Sequence, residues 1–190
     1  MEPIALVIVL ALVVVLSVAG VAMYNGLVQR RMRVDEAWAQ IDVQLKRRHD
    51  LIPNLVNAVK GYMGFEQKVL ENVTNARANA VAAGGRGPAA QATAENQLTQ
   101  TLRSLFAVVE NYPDLKANQN VLALQEQLTT TENQIGAARH AYNAAVRAYN
   151  TAIATFPAVL MAGQMGFTKR EFFVAGPGAA EVPPVQLAQG

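Results

Sequence analysis

The hydrophobic positions of the chain follow two patterns, one continuous and one periodic. Residues 4–23 (IALVIVLALVVVLSVAGVAM) contain no charged side chain. Twenty apolar residues at about 1.5 Å each form a helix that spans the roughly 30 Å hydrocarbon core of a bilayer. A signal peptide is the alternative, but it would begin with Lys or Arg, and neither precedes this run. We therefore predict an uncleaved transmembrane anchor.

After the anchor, the apolar positions become periodic. Val34, Trp38, Ile41 and Leu45 are spaced by four, three and four residues, which is the pattern of one buried helix face. This pattern predicts a nearly continuous helix from the bilayer to about Arg48. Asp50 is a good helix N-cap and Pro53 suits a first helical turn, so we expect a turn near residues 49–52 and then a second helix. A hairpin and a single kinked rod both fit this stretch.

Pro and Gly divide the remaining chain into further helices. The second helix should end before the loop at residues 84–88 (GGRGP), and a third should run from about Ala89 to Tyr112. Residues 114–120 are interpreted as a connector with capping residues, and the longest helix follows from about Asn120 to Phe156. Long helices joined by short loops pack antiparallel. The predicted fold is all-α: a transmembrane helix that continues into an antiparallel bundle of long helices.

The same pattern predicts three regions. Residues 1–23 are the outward N-terminus and anchor, residues 24–173 a cytoplasmic helical bundle, and residues 174–190 a Pro/Gly/Ala-rich, flexible tail. The apolar segment after Pro157 (AVLMAGQMGF) either packs on the end of the bundle or enters an interface, and we favour packing.

Charge and composition restrict the possible functions. The chain has no Cys, which excludes disulfides, thiolate metal sites and thiol nucleophiles, and its two His make a zinc site improbable. A net charge of +2 does not indicate nucleic-acid binding. No nucleotide-binding, metalloprotease or hydrolase motif is present. We therefore expect neither an enzyme nor a cofactor.

The basic residues after the anchor predict its orientation. Arg30, Arg31 and Arg33 follow the apolar run directly, and positive residues stay on the cytoplasmic side. We expect a single-pass protein of the bacterial inner membrane, with its N-terminus outside and its bundle in the cytoplasm. The same three Arg are placed to contact anionic lipid headgroups, and Tyr24 suits the interface.

Two groups of polar residues are candidates for chemistry. His49 and Asp50 are adjacent, but neighbouring helix residues do not face each other and Asp50 already serves as a cap. Asp50, Glu110 and Asp114 could together hold a hard cation such as Mg²⁺ if the fold brought them together. In both groups we prefer the structural interpretation and predict no catalytic or metal-binding residue.

Aromatic, apolar and Pro residues are the candidates for bundle contacts or protein interfaces. Trp38, the only Trp, suits a core position or an interface anchor. Tyr142 and Tyr149 lie seven residues apart on one helix face, and as buried Tyr side chains they need hydrogen-bond partners. The full set comprises Trp38, Ile41, Leu45, Pro53, Tyr112, Pro113, Tyr142 and Tyr149.

A set of dispersed residues forms a recognisable pattern along the chain. The set includes Tyr24-Asn25, Arg30, Ala37-Trp38, Ile41 to Leu45, Arg48, Asp50 to Val56, Val59 to Tyr62, Glu110, Tyr112 to Asn118, Leu124-Gln125, Glu132, Ile135, Arg139, Tyr142-Asn143, Val146, Tyr149-Asn150 and Phe156-Pro157. This pattern resembles that of LemA proteins. The resemblance implies a membrane-anchored domain of long antiparallel helices in a bacterium, and no catalytic activity. A relative in magnetotactic bacteria is linked to forming a membrane compartment, which makes membrane organisation a possible role by analogy.

Three functions follow from these observations. The first is a non-enzymatic scaffold that self-assembles as a homo-oligomer at the membrane. The second is an adaptor that docks a membrane protease, phosphatase or signalling partner through the tail or the loop at residues 84–88. The third is an enzyme or metal-binding module that uses Asp50, Glu110 and Asp114. We favour the scaffold.

Overall fold

The computed structural model describes residues 3–61 and 66–174, and every regular element within these ranges is a helix. The elements are α1 (Pro3–Lys60), α2 (Gln67–Ala83), α3 (Pro88–Val109), α4 (Pro113–Lys116), α5 (Gln119–Ala154) and a 3₁₀ helix (Ala158–Leu160). The predicted all-α class is thus confirmed. The predicted flexible tail, apart from Val174, lies outside the described residues.

The N-terminal part of α1 is apolar and exposed along its length. Among the described helices, α1 is the one long and apolar enough to cross a membrane, and its most apolar window buries nothing against the protein. An apolar helix surface with no protein contact is the pattern expected of a lipid-facing segment.

The predicted turn near residues 49–52 is wrong, because α1 continues through it to Lys60 with Pro53 inside the helix. Asp50 is therefore an exposed mid-helix residue and not a cap, and the Lys46 to Arg48 run does not end a helix. The buried positions explain why the helix continues: Ile52, Leu55 and Val59 extend the spacing of Ile41 and Leu45 without interruption. Burial of this face outweighs the cost of one Pro.

The end of α2 and the boundaries of α3 and α5 agree closely with the predicted ones, whereas α2 begins only at Gln67, well after the predicted start of the second helix. The loop between α2 and α3 covers residues 84–87, and Gly85 and Gly87 have φ values of 82° and 99°, which favour glycine. Pro88 and Pro113 begin α3 and α4, where a missing N–H costs nothing. The Oδ1 of Asn118 accepts hydrogen bonds from the N–H groups of Asn120 and Val121, at 2.9 and 3.2 Å, and so caps α5. The connector between α3 and α5 differs from the prediction in containing the short helix α4.

The chain divides into two compact units. The first joins α1 up to Ala39 to the segment Ala141–Arg170, and the second is built on Gln40–His140. In the first unit, the Trp38 and Tyr142 ring centroids are 5.2 Å apart and Asp35 is joined through Arg170 to Asn150, so α5 runs antiparallel to α1. In the second unit, α2 and α3 form a helical hairpin. The core of the second unit includes Ile52, Leu55, Val59, Val73, Ala80, Leu98, Leu105, Leu115, Val121 and Leu128.

Candidate functional site

A buried polar cluster lies inside the second unit, centred on Arg48 of α1. The Arg48 side chain is only 2% exposed, although it carries a full charge. Its guanidinium forms ion pairs with Glu95 of α3 and Glu132 of α5, and its Nη1 donates a 3.0 Å hydrogen bond to the Thr99 hydroxyl. A buried charge requires such partners, because its desolvation costs several kcal/mol. Arg48 therefore joins three helices through charge-assisted hydrogen bonds.

The Glu95 carboxylate is the second centre of this cluster. Its other oxygen, Oε1, lies 2.9 Å from Nε2 of His49 and accepts a 2.7 Å hydrogen bond from Nε2 of Gln91. Burial by itself raises the pKa of this carboxyl. The hydrogen bond with His49 and the positive charge of Arg48 together outweigh burial, so the pKa of Glu95 lies below its usual value. Glu95 is therefore an ionised carboxylate inside the second unit, and both of its oxygens are bonded to protein groups.

Two further hydrogen bonds connect the cluster to main-chain atoms. Nε of Arg77, on α2, donates to the carbonyl oxygen of His49 at 2.7 Å, and Nε2 of Gln91 donates to the carbonyl oxygen of Ala80 at 3.2 Å. Nε of Arg48 and Oε1 of Gln91 are buried with no protein partner. Most polar atoms of the cluster are paired with other protein groups. We therefore interpret the cluster as a structural hydrogen-bond network that specifies how the helices pack.

A surface groove adjoins the cluster in the same unit. It has a volume of about 450 Å³ and is lined by residues of α1, α2 and α3, among them His49 and Gln91. Val43 and Val81 line it with mostly exposed side chains. Asp42 and Asp50 carry negative charge along it, and Lys46 and Arg77 carry positive charge. The groove thus presents apolar contact area between charges of both signs.

The structure does not bring the three candidate cation ligands together. Asp50, Glu110 and Asp114 are all exposed. In residues 3–61 and 66–174, no group of three or more His, Asp or Glu side chains is arranged to hold a metal ion. His49 and Asp50 do not form an acid/base or metal-binding pair either. The His49 side chain bonds to Glu95, while the Asp50 side chain faces solvent at the groove.

The predicted bundle residues fall in both units. In the first unit, Tyr142 and Tyr149 are buried and Trp38 is half-buried. Burial raises the pKa of Tyr149, and the charges of Arg170 and Arg31 partly oppose this. Of the basic residues after the apolar stretch, Arg30 and Arg33 are exposed and Arg31 is half-buried.

In the second unit, the predicted bundle residues occupy core and peripheral positions. Ile41 and Leu45 are buried in α1, while Pro53 is half-buried within the same helix. Tyr112 packs against the core from its edge, and Pro113 is exposed at the start of α4.

Sequence reasoning missed the cluster, although the pattern contains a signal for it. Arg48 occupies the position between Leu45 and Ile52 in the spacing of the buried face of α1. Glu95 likewise lies three residues before the buried Leu98 on α3. A basic and an acidic residue at core positions of two different helices predict a buried ion pair, because neither charge is tolerated alone.

The comparison with known protein families identifies the family of the chain. No curated protein matches the chain significantly. The model of the LemA family matches residues 37–187, which cover most of the chain, including the Arg48 cluster and the groove. The chain is therefore a member of the LemA family.

Proposed function

We propose that this protein is a non-enzymatic scaffold that is anchored in the bacterial inner membrane and self-assembles there. One observation carries the proposal: α1 is an unbroken helix of 58 residues whose first part is apolar and exposed and whose last part is buried in a helical core. A span of bilayer length that continues directly into the folded part of the chain would attach that part to the membrane.

The buried cluster supports a structural role. A catalytic acid or base needs access to substrate and a pKa near the working pH. Glu95 is instead buried, its pKa is lowered, and both of its oxygens are bonded to protein groups. Arg48 is similarly enclosed by Glu95, Glu132 and Thr99. The groups best suited to chemistry are thus used to hold helices together.

The groove supports self-assembly. Its exposed Val43 and Val81 provide apolar area, and the charges of Asp42, Asp50, Lys46 and Arg77 include both signs. In a two-fold contact the same patch meets itself, so a patch that holds both signs can pair each charge with its opposite on the second copy. The occupant of the groove in this proposal is therefore a second copy of the chain.

The oligomeric state of the full chain tests the proposal. Light scattering and negative-stain imaging in several mild detergents should show large, regular particles. Val43→Glu together with Val81→Glu should reduce the particle mass, because like charges would face each other across the contact. Leu122→Glu is the matched control, since Leu122 is also exposed but does not line the groove. A monomer at high concentration in every detergent would contradict self-assembly.

The orientation is proposed from the basic residues after the span. Arg30, Arg31 and Arg33 should hold the folded domain on the cytoplasmic side. Single Cys residues at positions 2 and 122 can test this, because the chain has no Cys of its own. A membrane-impermeant maleimide applied to intact spheroplasts should label Glu2→Cys and spare Leu122→Cys until the membrane is opened. The reverse pattern would overturn the orientation.

An adaptor that docks a membrane protease, phosphatase or signalling protein is the second candidate. The observation that favours it is that Gly84, at the start of the loop between α2 and α3, lines the same groove. A photo-crosslinking residue at position 81 in living cells distinguishes the two functions. Self-contacts indicate the scaffold, and a different membrane protein as the principal adduct indicates the adaptor.

A further inference from the structure

The segment that follows α5 has one buried and one exposed apolar side. Ala158, Ala162 and Phe167 are buried within the first unit. Phe156, Val159, Leu160 and Met161, which we call the apolar tip, project outward, with Phe156 76% and Leu160 66% exposed. Four large apolar side chains grouped around one turn form an exposed patch of the kind that marks an interaction site.

Contacts with α1 hold this segment in place. The Phe167 ring packs edge-on against the Tyr24 ring, with centroids 5.5 Å apart, and the Arg31 guanidinium lies 5.4 Å from the centroid of the same Phe167 ring. Further along, Nη2 of Arg170 donates a 2.7 Å hydrogen bond to Oδ1 of Asp35. The segment is therefore attached to α1 between Tyr24 and Asp35.

Asn150 fastens the end of this segment to α5. Its Nδ2 donates to the carbonyl oxygen of Arg170 and its Oδ1 accepts from the N–H of Arg170, both at 2.9 Å. These two hydrogen bonds hold both main-chain polar groups of Arg170 against one side chain of α5. The apolar tip is thus the turn of a closed loop whose two ends are both bound to helices of the first unit.

The helix register places the apolar tip at the end of the proposed membrane span. Trp38 packs against Tyr142, and Asp35 is joined through Arg170 to Asn150, eight residues further along α5. Because the contact moves forward along α5 as it moves back along α1, the two helices run antiparallel here. Ala154, the last residue of α5, follows Tyr142 by twelve residues, or about 18 Å, and Gly26 precedes Trp38 by the same number. Phe156 is two residues further along the chain and therefore lies near the level of Tyr24, where the exposed apolar stretch of residues 4–23 ends.

We propose that the apolar tip is a second membrane contact, inserted into the headgroup and acyl-chain boundary on the side where α1 leaves the bilayer. This inference rests on the proposed anchoring by α1. Large apolar side chains at that depth enter the bilayer surface, and the basic Arg30, Arg31 and Arg33 follow in sequence at the level of anionic headgroups. The span and the apolar tip together would hold the first unit upright, since two contacts resist tilting where one does not.

Single Cys residues carrying a fluorescent label test the depth of the apolar tip. The full chain is reconstituted into vesicles of phosphatidylcholine and phosphatidylglycerol in which part of the lipid is brominated in its acyl chains. Leu160→Cys reports the apolar tip and Leu16→Cys reports the span. Met32→Cys is the matched control, because Met32 is exposed on α1 about 12 Å beyond Tyr24. Helical circular dichroism and Trp38 fluorescence verify that each variant is folded.

We expect brominated lipid to quench the label at position 160 at least twofold more than the label at position 32, and aqueous iodide to show the opposite order. Equal quenching at positions 160 and 32, with strong quenching at position 16, would overturn the apolar-tip contact and leave the anchor intact. Weak lipid quenching at both 16 and 160 would overturn the anchor itself. A label at 160 shielded from both quenchers would show that protein covers the apolar tip, which also refutes the proposal.

Discussion

Nε of Arg77 donates a 2.7 Å hydrogen bond to the main-chain carbonyl oxygen of His49. This oxygen lies four residues before Pro53, which has no N–H to donate to it. Arg77, from α2, therefore supplies a donor that α1 lacks at this point. The bond helps to explain how α1 passes through a Pro without ending, and it couples the geometry of α1 to the position of α2.

A double-mutant cycle tests this compensation. Arg77→Met should lower the free energy of unfolding by about 2 kcal/mol, because a carbonyl oxygen loses a charged donor. In a Pro53→Ala background the residue at position 53 supplies its own N–H, so the same substitution should cost about 1 kcal/mol less. Denaturant unfolding of the full chain in detergent, followed by circular dichroism, measures both values. Arg103→Met, an exposed Arg on α3, is the control. Equal costs in the two backgrounds would refute the compensation.

Pro53→Ala alone should stabilise the protein. A Pro inside a helix costs about 3 kcal/mol, and its stiffening of the unfolded chain returns about 1 kcal/mol. We expect a net gain of about 1–2 kcal/mol, since Arg77 already satisfies the His49 oxygen. Hydrogen exchange of residues 49–57 should slow in the variant relative to exchange in α3. A loss of stability would indicate that packing of the Pro53 ring outweighs its backbone cost.

Loss of the Glu95 charge should be among the most damaging changes in the second unit. Glu95→Gln leaves Arg48 buried with only one ionic partner, and breaking a buried pair in this way costs about 3 kcal/mol. Glu132→Gln should cost at most about 1 kcal/mol, because the Glu132 side chain is 45% exposed and water can replace it. Denaturant unfolding of the two variants under the same conditions measures both losses in the free energy of unfolding. Similar costs for both variants would show that burial of Glu95 has no energetic consequence.

The stability of the protein should fall at acidic pH because of the same carboxylate. The pKa of Glu95 is lowered in the folded state from an ordinary value of 4.5. The folded state therefore binds this proton less readily than the unfolded state does. The stabilisation is complete above pH 4.5 and is lost as the pH falls towards the lowered pKa. Unfolding curves between pH 3 and 7 should show a steeper decline for the native protein than for Glu95→Gln, and parallel curves would contradict this assignment.

The Trp38–Tyr142 contact gives the first unit a spectroscopic probe. Trp38 is the only Trp in the chain, and the centroid of its ring lies 5.2 Å from the centroid of the Tyr142 ring. Tyr142→Ala should shift Trp38 emission to longer wavelength and cost about 3 kcal/mol, because it opens a cavity beside a large ring. Tyr142→Phe retains the ring contact and should leave the emission nearly unchanged. An unchanged spectrum in Tyr142→Ala would show that the two rings do not pack in solution.

The fold could be predicted from the sequence more completely than the buried polar cluster could. Apolar spacing located α3 and α5 to within a few residues and predicted burial of Ile41, Leu45, Tyr142 and Tyr149. It failed at Pro53, because local propensity favours a break there while the compensating donor, Arg77, is 24 residues away in the chain. Arg48 and Glu95 occupy buried positions that the apolar spacing was not used to assign, and the spacing contains no information on which charges meet.

The sequence by itself determined an apolar stretch long enough to span a bilayer, the loop between α2 and α3, the extents of α3 and α5 to within a few residues, and membership of the LemA family. These follow from local composition and from residues that the family pattern shares. Only the tertiary structure decided that Arg48 pairs with Glu95, that Arg77 bonds the His49 carbonyl oxygen near Pro53, and that Phe167 packs against Tyr24. Those contacts join residues far apart in the chain, and they form because packing the apolar faces determines which polar groups are left close enough to bond.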